Sequence, residues 1–298
     1  MKLQDLLRHL YYEPSLITPE AHASIRDVLE RHFARRESLS PSLVGHFVDP
    51  ASGQVTDKVT DKERLQREAE DFCGDSVDIP QAELINGIMH IPVGGVMGNK
   101  LHPFERAGGA VDVQDLMQEI SDAESNPQCR GVLFLFDSPG GMLSGIPELS
   151  DRISSMQKDN YAFCDGGQIC SAAYWAASSC HGIFATQSAS IGNVGVYLPI
   201  LDSSAAFAAR GLTVELIRAG KYKGIAHPGT SLKASDRAYL QDRVNSIYSM
   251  FTAHMERTRP DIQAADLEGQ YFFGEEAVAH GFLDAVVRNQ AEVLELFG

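Results

Sequence analysis

Residues 131–136 form a run that contains no polar side chain. A run of this kind is typical of a strand buried on both faces, as parallel strands are when helices cover the sheet. Other short strand patterns alternate along the chain with segments of helical periodicity, including 146–158 and 235–257. This alternation predicts an α/β fold whose sheet is mainly parallel.

Three parts of the chain differ in composition and pattern. Residues 1–37 contain two stretches with apolar residues at helical spacing, so we expect an N-terminal helical segment. Residues 38–78 are rich in Ser, Pro, Gly, Asp and Thr and then become charged, which is typical of a linker. Residues 79–298 are expected to form the main domain, with a mobile glycine-rich loop at 94–110 and one of its strands at 213–218.

Charge and cysteine usage exclude several classes of function. The 298 residues carry a formal net charge of −15, which leaves no basic stripe for a nucleic-acid backbone. The five cysteines form no Cys-x-x-Cys pair, so we interpret them as reduced and mostly buried, without a zinc site. The sequence has no apolar signal-peptide core and no apolar run of about 18 residues, the length that a membrane helix needs. We therefore expect a cytoplasmic protein without a membrane span.

A serine surrounded by small residues follows one glycine pair and precedes an alanine pair. The pattern predicts that this serine, Ser171, lies in the first turn of a buried helix, near the positive end of the helix dipole. Capping a helix is the ordinary role of such a serine, but a second glycine pair gives it chemical meaning. Gly140 and Gly141 follow the predicted strand at 131–136, where free backbone N–H groups can stabilise an oxyanion.

A serine hydroxyl needs a base before it can act as a nucleophile. The histidines after Ser171 have no evident carboxylate partner in the sequence, and we interpret all four as structural or exposed: His181, His227, His254 and His280. A lysine is the other option. Lowering the pKa of a lysine from about 10.4 to about 8 corresponds to about 3 kcal/mol. Burial away from carboxylates can produce a shift of this size, because it disfavours the charged amine. Lys221 and Lys223 both lie among glycine, tyrosine and apolar residues, and the local sequence does not choose between them.

Five motifs, taken in their order, resemble the signal peptide peptidase A family of serine peptidases. That family includes head maturation proteases of tailed phages and belongs to the Clp protease/crotonase superfold. The resemblance covers about residues 79–287. Its motifs are Asp-Ser-Pro-Gly-Gly at 137–141, the nucleophile motif at 171–178, the strand motif at 190–196, the lysine segment at 221–223 and the closing motif at 271–284.

The resemblance implies a Clp/crotonase-like fold with repeated ββα-type units and a site without metal or cofactor. It assigns Ser171 as the nucleophile, Lys223 as the general base, and Gly140 and Gly141 as the lining of the oxyanion hole. Asn193 stands where the family commonly has a serine that orients the lysine, and the Asn193 side-chain oxygen could accept from the amine instead. No histidine stands where a Clp-type triad would place one, which favours the lysine.

The residues and the resemblance together predict a serine endopeptidase with a Ser171–Lys223 dyad. Within the family they favour a head maturation protease of a phage or prophage, which would cleave scaffold and capsid proteins in the host cytoplasm or the immature head. The resemblance also implies a homo-oligomer, and it leaves open whether the dyad forms within one chain or between chains. Two alternatives remain: a bacterial cytoplasmic peptidase that clears signal-peptide remnants, and an inactive scaffold or binding module of the same fold.

Overall fold

The computed structural model of the protein describes residues 15–17, 81–101, 105–106 and 108–298. Nearly all of the predicted helical segment at 1–37, and the whole of the predicted linker at 38–78, lie outside the described residues. Within the segment 1–37 the structure describes a strand, β1 (Ser15–Ile17), which the sequence analysis did not predict.

Six strands form the central sheet: β2 (Glu83–Ile85), β3 (Ile88–Gly94), β6 (Gly131–Asp137), β8 (Asp159–Cys164), β10 (Gly182–Ala185) and β13 (Ala285–Val286). Their order across the sheet is β13-β10-β8-β6-β3-β2. Every pairing is parallel except the β2–β3 hairpin, whose turn residues Asn86 and Gly87 both have positive φ, 50° and 82°. The structure thus confirms the α/β class and the mainly parallel sheet.

Short strands, most of which follow a central strand directly, form two smaller sheets. They are β4 (Met97–Gly98), β5 (Val111–Asp112), β7 (Gly140–Met142), β9 (Gln168–Cys170), β11 (Ser190–Gly192) and β12 (Tyr271–Phe273). One small sheet has the order β1-β7-β4-β5, and the other has the order β12-β11-β9.

The helices connect these strands in a repeating order. They are α1 (Val113–Ser125), α2 (Ile146–Ser154), α3 (Ala172–Ala177), α4 (Ser204–Ala209), α5 (Ala234–Thr258), α6 (Gly274–Ala279) and α7 (Gln290–Leu294). Along the chain β6, β7 and α2 follow one another, as do β8, β9 and α3, and then β10, β11 and α4. This order confirms the ββα-type units that the family resemblance implied.

The core packs helices α1, α2 and α3 against the central sheet. Phe134 of β6, Ile120 of α1 and Leu149 of α2 are each no more than 1% exposed. Burying an apolar side chain of this size contributes about 1.5–3 kcal/mol. All six residues of α3 are buried as well. The short helix that follows Ser171 is therefore fixed on every side, and so is the turn that leads into it.

The segment after β11 differs from the prediction. The strand predicted at 213–218 does not form, and Ile217 within it is 98% exposed. Alternating apolar residues favour a strand only where another strand supplies the ladder of hydrogen bonds, and the described structure offers none here. The glycine-rich stretch at 94–110 is also more ordered than predicted, since β4 within it pairs with both β5 and β7.

Candidate active site

Ser171 forms a sharp turn between β9 and α3, at the start of a buried helix as the sequence predicted. Its torsions, φ 55° and ψ −117°, match the first central position of a type II′ turn, which glycine normally occupies. The Ser171 N–H donates to the Gly192 carbonyl at 2.8 Å, and the Ser171 carbonyl accepts from the Trp175 N–H at 2.9 Å. The hydroxyl does not cap α3. A strained non-glycine residue at a strand-to-helix turn is the geometry of a nucleophile elbow.

Hydrogen bonds of Ser138 hold the glycine strand β7 beside this turn. The Ser138 N–H donates to the Gln168 carbonyl at 2.8 Å, and the Ser138 carbonyl accepts from the Cys170 N–H at 3.1 Å. Gly140, with φ 103°, follows two residues later and begins β7. The structure therefore brings the predicted oxyanion strand next to the residue that precedes Ser171, because both are tied to β9.

The two predicted oxyanion glycines have different surroundings. The Gly140 N–H donates to the Ser138 hydroxyl at 3.2 Å, and that hydroxyl donates to the Gly95 carbonyl at 2.6 Å. A Cβ atom at Gly141 would lie 1.9 Å from the Met97 carbonyl oxygen, so a residue with a side chain does not fit there. The close approach of backbones explains why glycine stands at position 141. The oxyanion role of both residues stays a prediction.

The backbone N–H of Ala172 is a further candidate donor that the sequence analysis did not identify. Ala172 is the first residue of α3, and the N–H groups of a helix's first turn have no acceptor within the helix. In the described part of the chain the structure gives the Ala172 N–H no other acceptor. In other hydrolases the residue after the nucleophile supplies an oxyanion donor. The position of Ala172 directly after Ser171 was therefore the feature of the sequence that could have indicated this donor.

Asn193 lies beside Ser171 because β9 and β11 are parallel and Cys170 pairs with Gly192. The Asn193 N–H donates to the Gln270 carbonyl at 2.6 Å, and its side-chain Nδ2 donates to the Gly269 carbonyl at 2.9 Å. These bonds fix the amide and leave its oxygen as the group that could accept from an amine. Its role in orienting a lysine stays a prediction.

The structure does not bring Lys223 to this turn. Lys223 lies on an exposed part of the chain, and no hydrogen bond or ion pair joins its side chain to Ser171 within the described residues. Lys221 Nζ lies 4.9 Å from the centre of the Tyr222 ring, which stacks on Tyr239 at 4.1 Å. The ring therefore engages the Lys221 amine. The pairing of Lys223 with Ser171 stays a prediction.

Two histidines have carboxylate partners that the sequence did not reveal. His280 Nδ1 lies 2.9 Å from an oxygen of Asp266, and His181 Nδ1 lies 3.5 Å from an oxygen of Asp159. Both partners are distant in sequence, so only the fold brings them together. Neither histidine is hydrogen-bonded to Ser171 in the described structure.

A third histidine, His254 of α5, forms a buried polar cluster at the other end of α3. Its Nε2 lies 2.9 Å from the Ser178 hydroxyl and 3.3 Å from the Ser150 hydroxyl of α2. Arg257 donates to Nδ1 at 3.3 Å. Because Nδ1 accepts, Nε2 carries the proton and donates to Ser178. Burial, together with the neighbouring Arg257 charge, lowers the pKa of His254 to about 4.

The described residues offer neither a metal site nor a membrane helix. They contain no group of three or more His, Cys, Asp or Glu side chains that could hold a metal ion. Nor does any helix among them combine the length and the apolarity that crossing a membrane requires.

A serine on a strained turn, with a buried helix behind it and a glycine strand beside it, is an arrangement that also occurs in serine hydrolases. Residues 157–296 match the family model described as Peptidase family S49. The match confirms the resemblance to signal peptide peptidases that the five motifs predicted.

Curated phage and bacterial proteins are similar to this chain in sequence. Capsid assembly protease C of Escherichia phage lambda is 28% identical over 83% of this chain and 56% of its own length. Head-tail preconnector protein GP5 of Enterobacteria phage P21 is 28% identical over 68% of this chain and 41% of its own length. Putative signal peptide peptidase SppA of Enterococcus faecium is 22% identical over 58% of this chain and 52% of its own length. The chain thus spans about half the length of these curated relatives.

Solved structures of two proteases are similar over most of the chain. A mutant of the 1510-N membrane-bound stomatin-specific protease matches 70% of this chain and 84% of its own, with 16% identity and a TM-score of 0.44. A ClpP1 mutant from Listeria monocytogenes matches 68% of this chain and 92% of its own, with 10% identity and a TM-score of 0.44.

Proposed function

We propose that the protein is a serine endopeptidase with Ser171 as nucleophile and Lys223 as general base. The observation that carries this proposal is the strained turn at Ser171, with φ 55°, beside the glycine strand β7. Strain at a non-glycine residue costs about 1–3 kcal/mol, persists only where the surrounding structure enforces it, and is concentrated at active sites. The match to Peptidase family S49 supports the same chemistry.

The reaction follows from these roles. Neutral Lys223 takes the proton of the Ser171 hydroxyl as Oγ attacks the peptide carbonyl, and the carbonyl electron pair moves onto oxygen. Backbone N–H groups of Gly141 and Ala172 stabilise that oxyanion, because the Gly140 N–H, the other predicted donor, already donates to the Ser138 hydroxyl. One such donor is typically worth about 3 kcal/mol. Lys223 then gives its proton to the leaving amine. Water hydrolyses the acyl-enzyme, with Lys223 again acting as base.

The exposed position of Lys223 supports assembly as part of the proposed function. The chain around it presents large apolar side chains to solvent: Leu201, Leu212 and Ile217 are 66%, 54% and 98% exposed. Large apolar side chains left exposed favour contact with another protein surface. We place this segment at the contact between copies in a homo-oligomer. There Lys223 approaches the Ser171 turn and completes the dyad.

Protein substrates, and head maturation of a phage or prophage, are the proposed biological role. Two relatives that support it are phage proteins named capsid assembly protease C and head-tail preconnector protein GP5. The substrates would be scaffold and capsid proteins, met in the host cytoplasm or the immature head. The relative named putative signal peptide peptidase SppA favours the second candidate, a bacterial peptidase that clears signal-peptide remnants.

Labelling with a fluorophosphonate probe tests the nucleophile. We expect the wild-type protein to take up one probe at Ser171, because the probe reacts with an activated serine hydroxyl. Ser171→Ala should abolish labelling, and peptidase activity should fall about 10⁴-fold or more. Ser155→Ala, which changes an exposed serine at the end of α2, is the matched control and should keep both. Labelling that survives in Ser171→Ala would move the proposal to another serine, and an unlabelled wild type would favour the inactive scaffold.

A further inference from the structure

Both edges of strand β7 are paired in the structure. On one side β4 runs parallel to it, with Met97 opposite Gly141. On the other side β1 runs antiparallel, and its three residues face all of β7: Ile17 opposite Gly140, Leu16 opposite Gly141 and Ser15 opposite Met142. The N-terminal part of the chain thus supplies the outer neighbour of the strand that holds the predicted oxyanion glycines.

A peptide substrate has to lie along this same strand. Its scissile carbonyl must reach Ser171 and the backbone donors at Gly141 and Ala172, so the adjoining residues extend beside β7. Extended peptides commonly bind by adding a strand to a sheet edge through backbone hydrogen bonds. The inner edge of β7 is closed, because β4 pairs with it there and places Met97 opposite Gly141. Only the outer edge can receive the peptide, and β1 lies there.

We propose that residues 15–17 occupy the substrate-binding edge of β7 and are an intramolecular competitor of the peptide substrate. The inference rests on the proposed peptidase function and defines the ligand of the site as an extended peptide antiparallel to Gly140–Met142. Substrate pairs with β7 only in molecules whose β1 has left. The apparent affinity for substrate is therefore lowered by the fraction of molecules in which the edge is free.

The length of chain between the two elements allows this exchange. Residues 18–82 join β1 to β2, the first strand of the main domain. Because β1 and β7 belong to one chain, β1 competes as an intramolecular ligand, at an effective concentration of about the millimolar range or below. Three paired residues held in this way can compete with a free peptide and can still be displaced by a longer one.

A disulfide across the β1–β7 pair tests the inference in the full-length protein. Residues directly opposite each other in an antiparallel pair have Cα atoms about 4.5–5.5 Å apart, within the range that a disulfide bridges. We expect Ser15→Cys/Met142→Cys to form this bond on oxidation, as mass spectrometry of the digested protein would identify. The oxidised form should lose peptidase activity at least about tenfold, and a reductant should restore it. Ser40→Cys/Met142→Cys, with its new thiol in the predicted linker, is the matched control.

Proline substitution tests the opposite change, release of the strand. Neighbouring N–H groups of a strand point to opposite sides, so Leu16→Pro/Ile17→Pro removes at least one donor that faces β7. We expect KM for a peptide substrate to fall about threefold or more with kcat unchanged. Ser40→Pro/Ser42→Pro in the predicted linker should leave KM as it is.

Each failure has a separate signature. If the disulfide forms and the oxidised enzyme cleaves peptide as fast as the reduced form, β1 does not block the substrate edge and the inference is wrong. If no bond forms and the prolines leave KM unchanged, β1 does not occupy the edge. If wild type and reduced variant are both inactive toward peptides, the proposed function itself fails, and the inference falls with it.

Discussion

At the scale of single residues, Ser171 combines a reactive side chain with a backbone conformation that suits glycine. The sequence indicated the position, because small residues surround this serine and apolar residues follow at helical spacing. It could not indicate the torsions, φ 55° and ψ −117°. These torsions depend on the hydrogen bond from the Ser171 N–H to the Gly192 carbonyl. Gly192 lies in β11, which is separated from Ser171 in sequence by α3 and β10.

The strain at this turn predicts a trade between stability and activity. Ser171→Gly should raise the free energy of unfolding by about 1 kcal/mol, because glycine adopts these torsions without a steric penalty. Urea denaturation of Ser171→Gly and Ser171→Ala, which both lack the nucleophile, measures the difference in the free energy of unfolding. Ser171→Ala is the matched control, since it also lacks the hydroxyl but keeps the Cβ atom. Equal stability of the glycine and alanine variants would show that the turn is not strained.

The same scale explains which site residues could be predicted. Gly140, Gly141 and Asn193 lie at strand ends, and parallel strands bring their carboxyl ends to one edge. The Ala172 N–H was missed because every residue except proline carries a backbone N–H, so the residue type does not mark such a donor. The contact between His280 and Asp266 was missed because it joins two separate turns of the fold.

At the scale of secondary-structure elements, the buried cluster around His254 holds α3 between two other helices. His254 belongs to α5, Ser150 to α2, and Ser178 caps the end of α3. The His254 ring also stacks on Trp175, with ring centres 5.5 Å apart. Neutral His254 thus links three helices behind the Ser171 turn.

Acid should loosen this contact. The pKa of His254 lies at about 4 in the folded protein against an ordinary value of 6.5, so the unfolded chain binds the proton first as pH falls. The stability due to His254 is complete above pH 6.5 and is lost between pH 6.5 and 4, by about 3 kcal/mol. Urea denaturation of wild type and His254→Asn across this range measures the difference, and the variant should lack the loss.

Glu119 has the opposite effect on stability in an overlapping pH range. The contribution of His254 is therefore measured as the difference between wild type and His254→Asn. Burial raises the pKa of Glu119 from 4.5 to about 7. The folded state therefore keeps a proton that the unfolded chain releases, and this contribution falls as pH rises from 4.5 to 7. Both proteins contain Glu119, so its effect cancels in the difference. Parallel stability curves for wild type and His254→Asn would contradict the role given to His254.

Elements with strong local patterns were predicted, and elements that depend on remote partners were not. The apolar run at 131–136 became β6, and the long periodic segment at 235–257 became α5. Strand β1 was missed because its partner lies more than 100 residues away in sequence, at Gly140–Met142. The strand predicted at 213–218 failed for the converse reason, since the described structure has no strand to pair with it.

At the scale of the whole molecule, the proposed catalytic groups lie on two different parts of the structure. Ser171, Gly141 and Asn193 surround one buried turn, whereas Lys223 lies on the exposed segment between β11 and α5. That segment also exposes large apolar residues, a feature that favours contact with another protein surface. The sequence could place the lysine in order along the chain, but it could not show whether Lys223 meets Ser171 of its own chain or of a neighbouring copy.

The most direct test of the Ser171–Lys223 dyad is peptidase activity against pH for wild type, Lys223→Ala and Lys221→Ala. We predict that Lys223→Ala abolishes turnover and that Lys221→Ala keeps most of it, because the Lys221 amine lies against the Tyr222 ring. Wild-type activity should rise toward alkaline pH, since a lysine accepts a proton only when it is neutral. Full activity in Lys223→Ala, with loss in Lys221→Ala or in a histidine variant, would contradict the dyad.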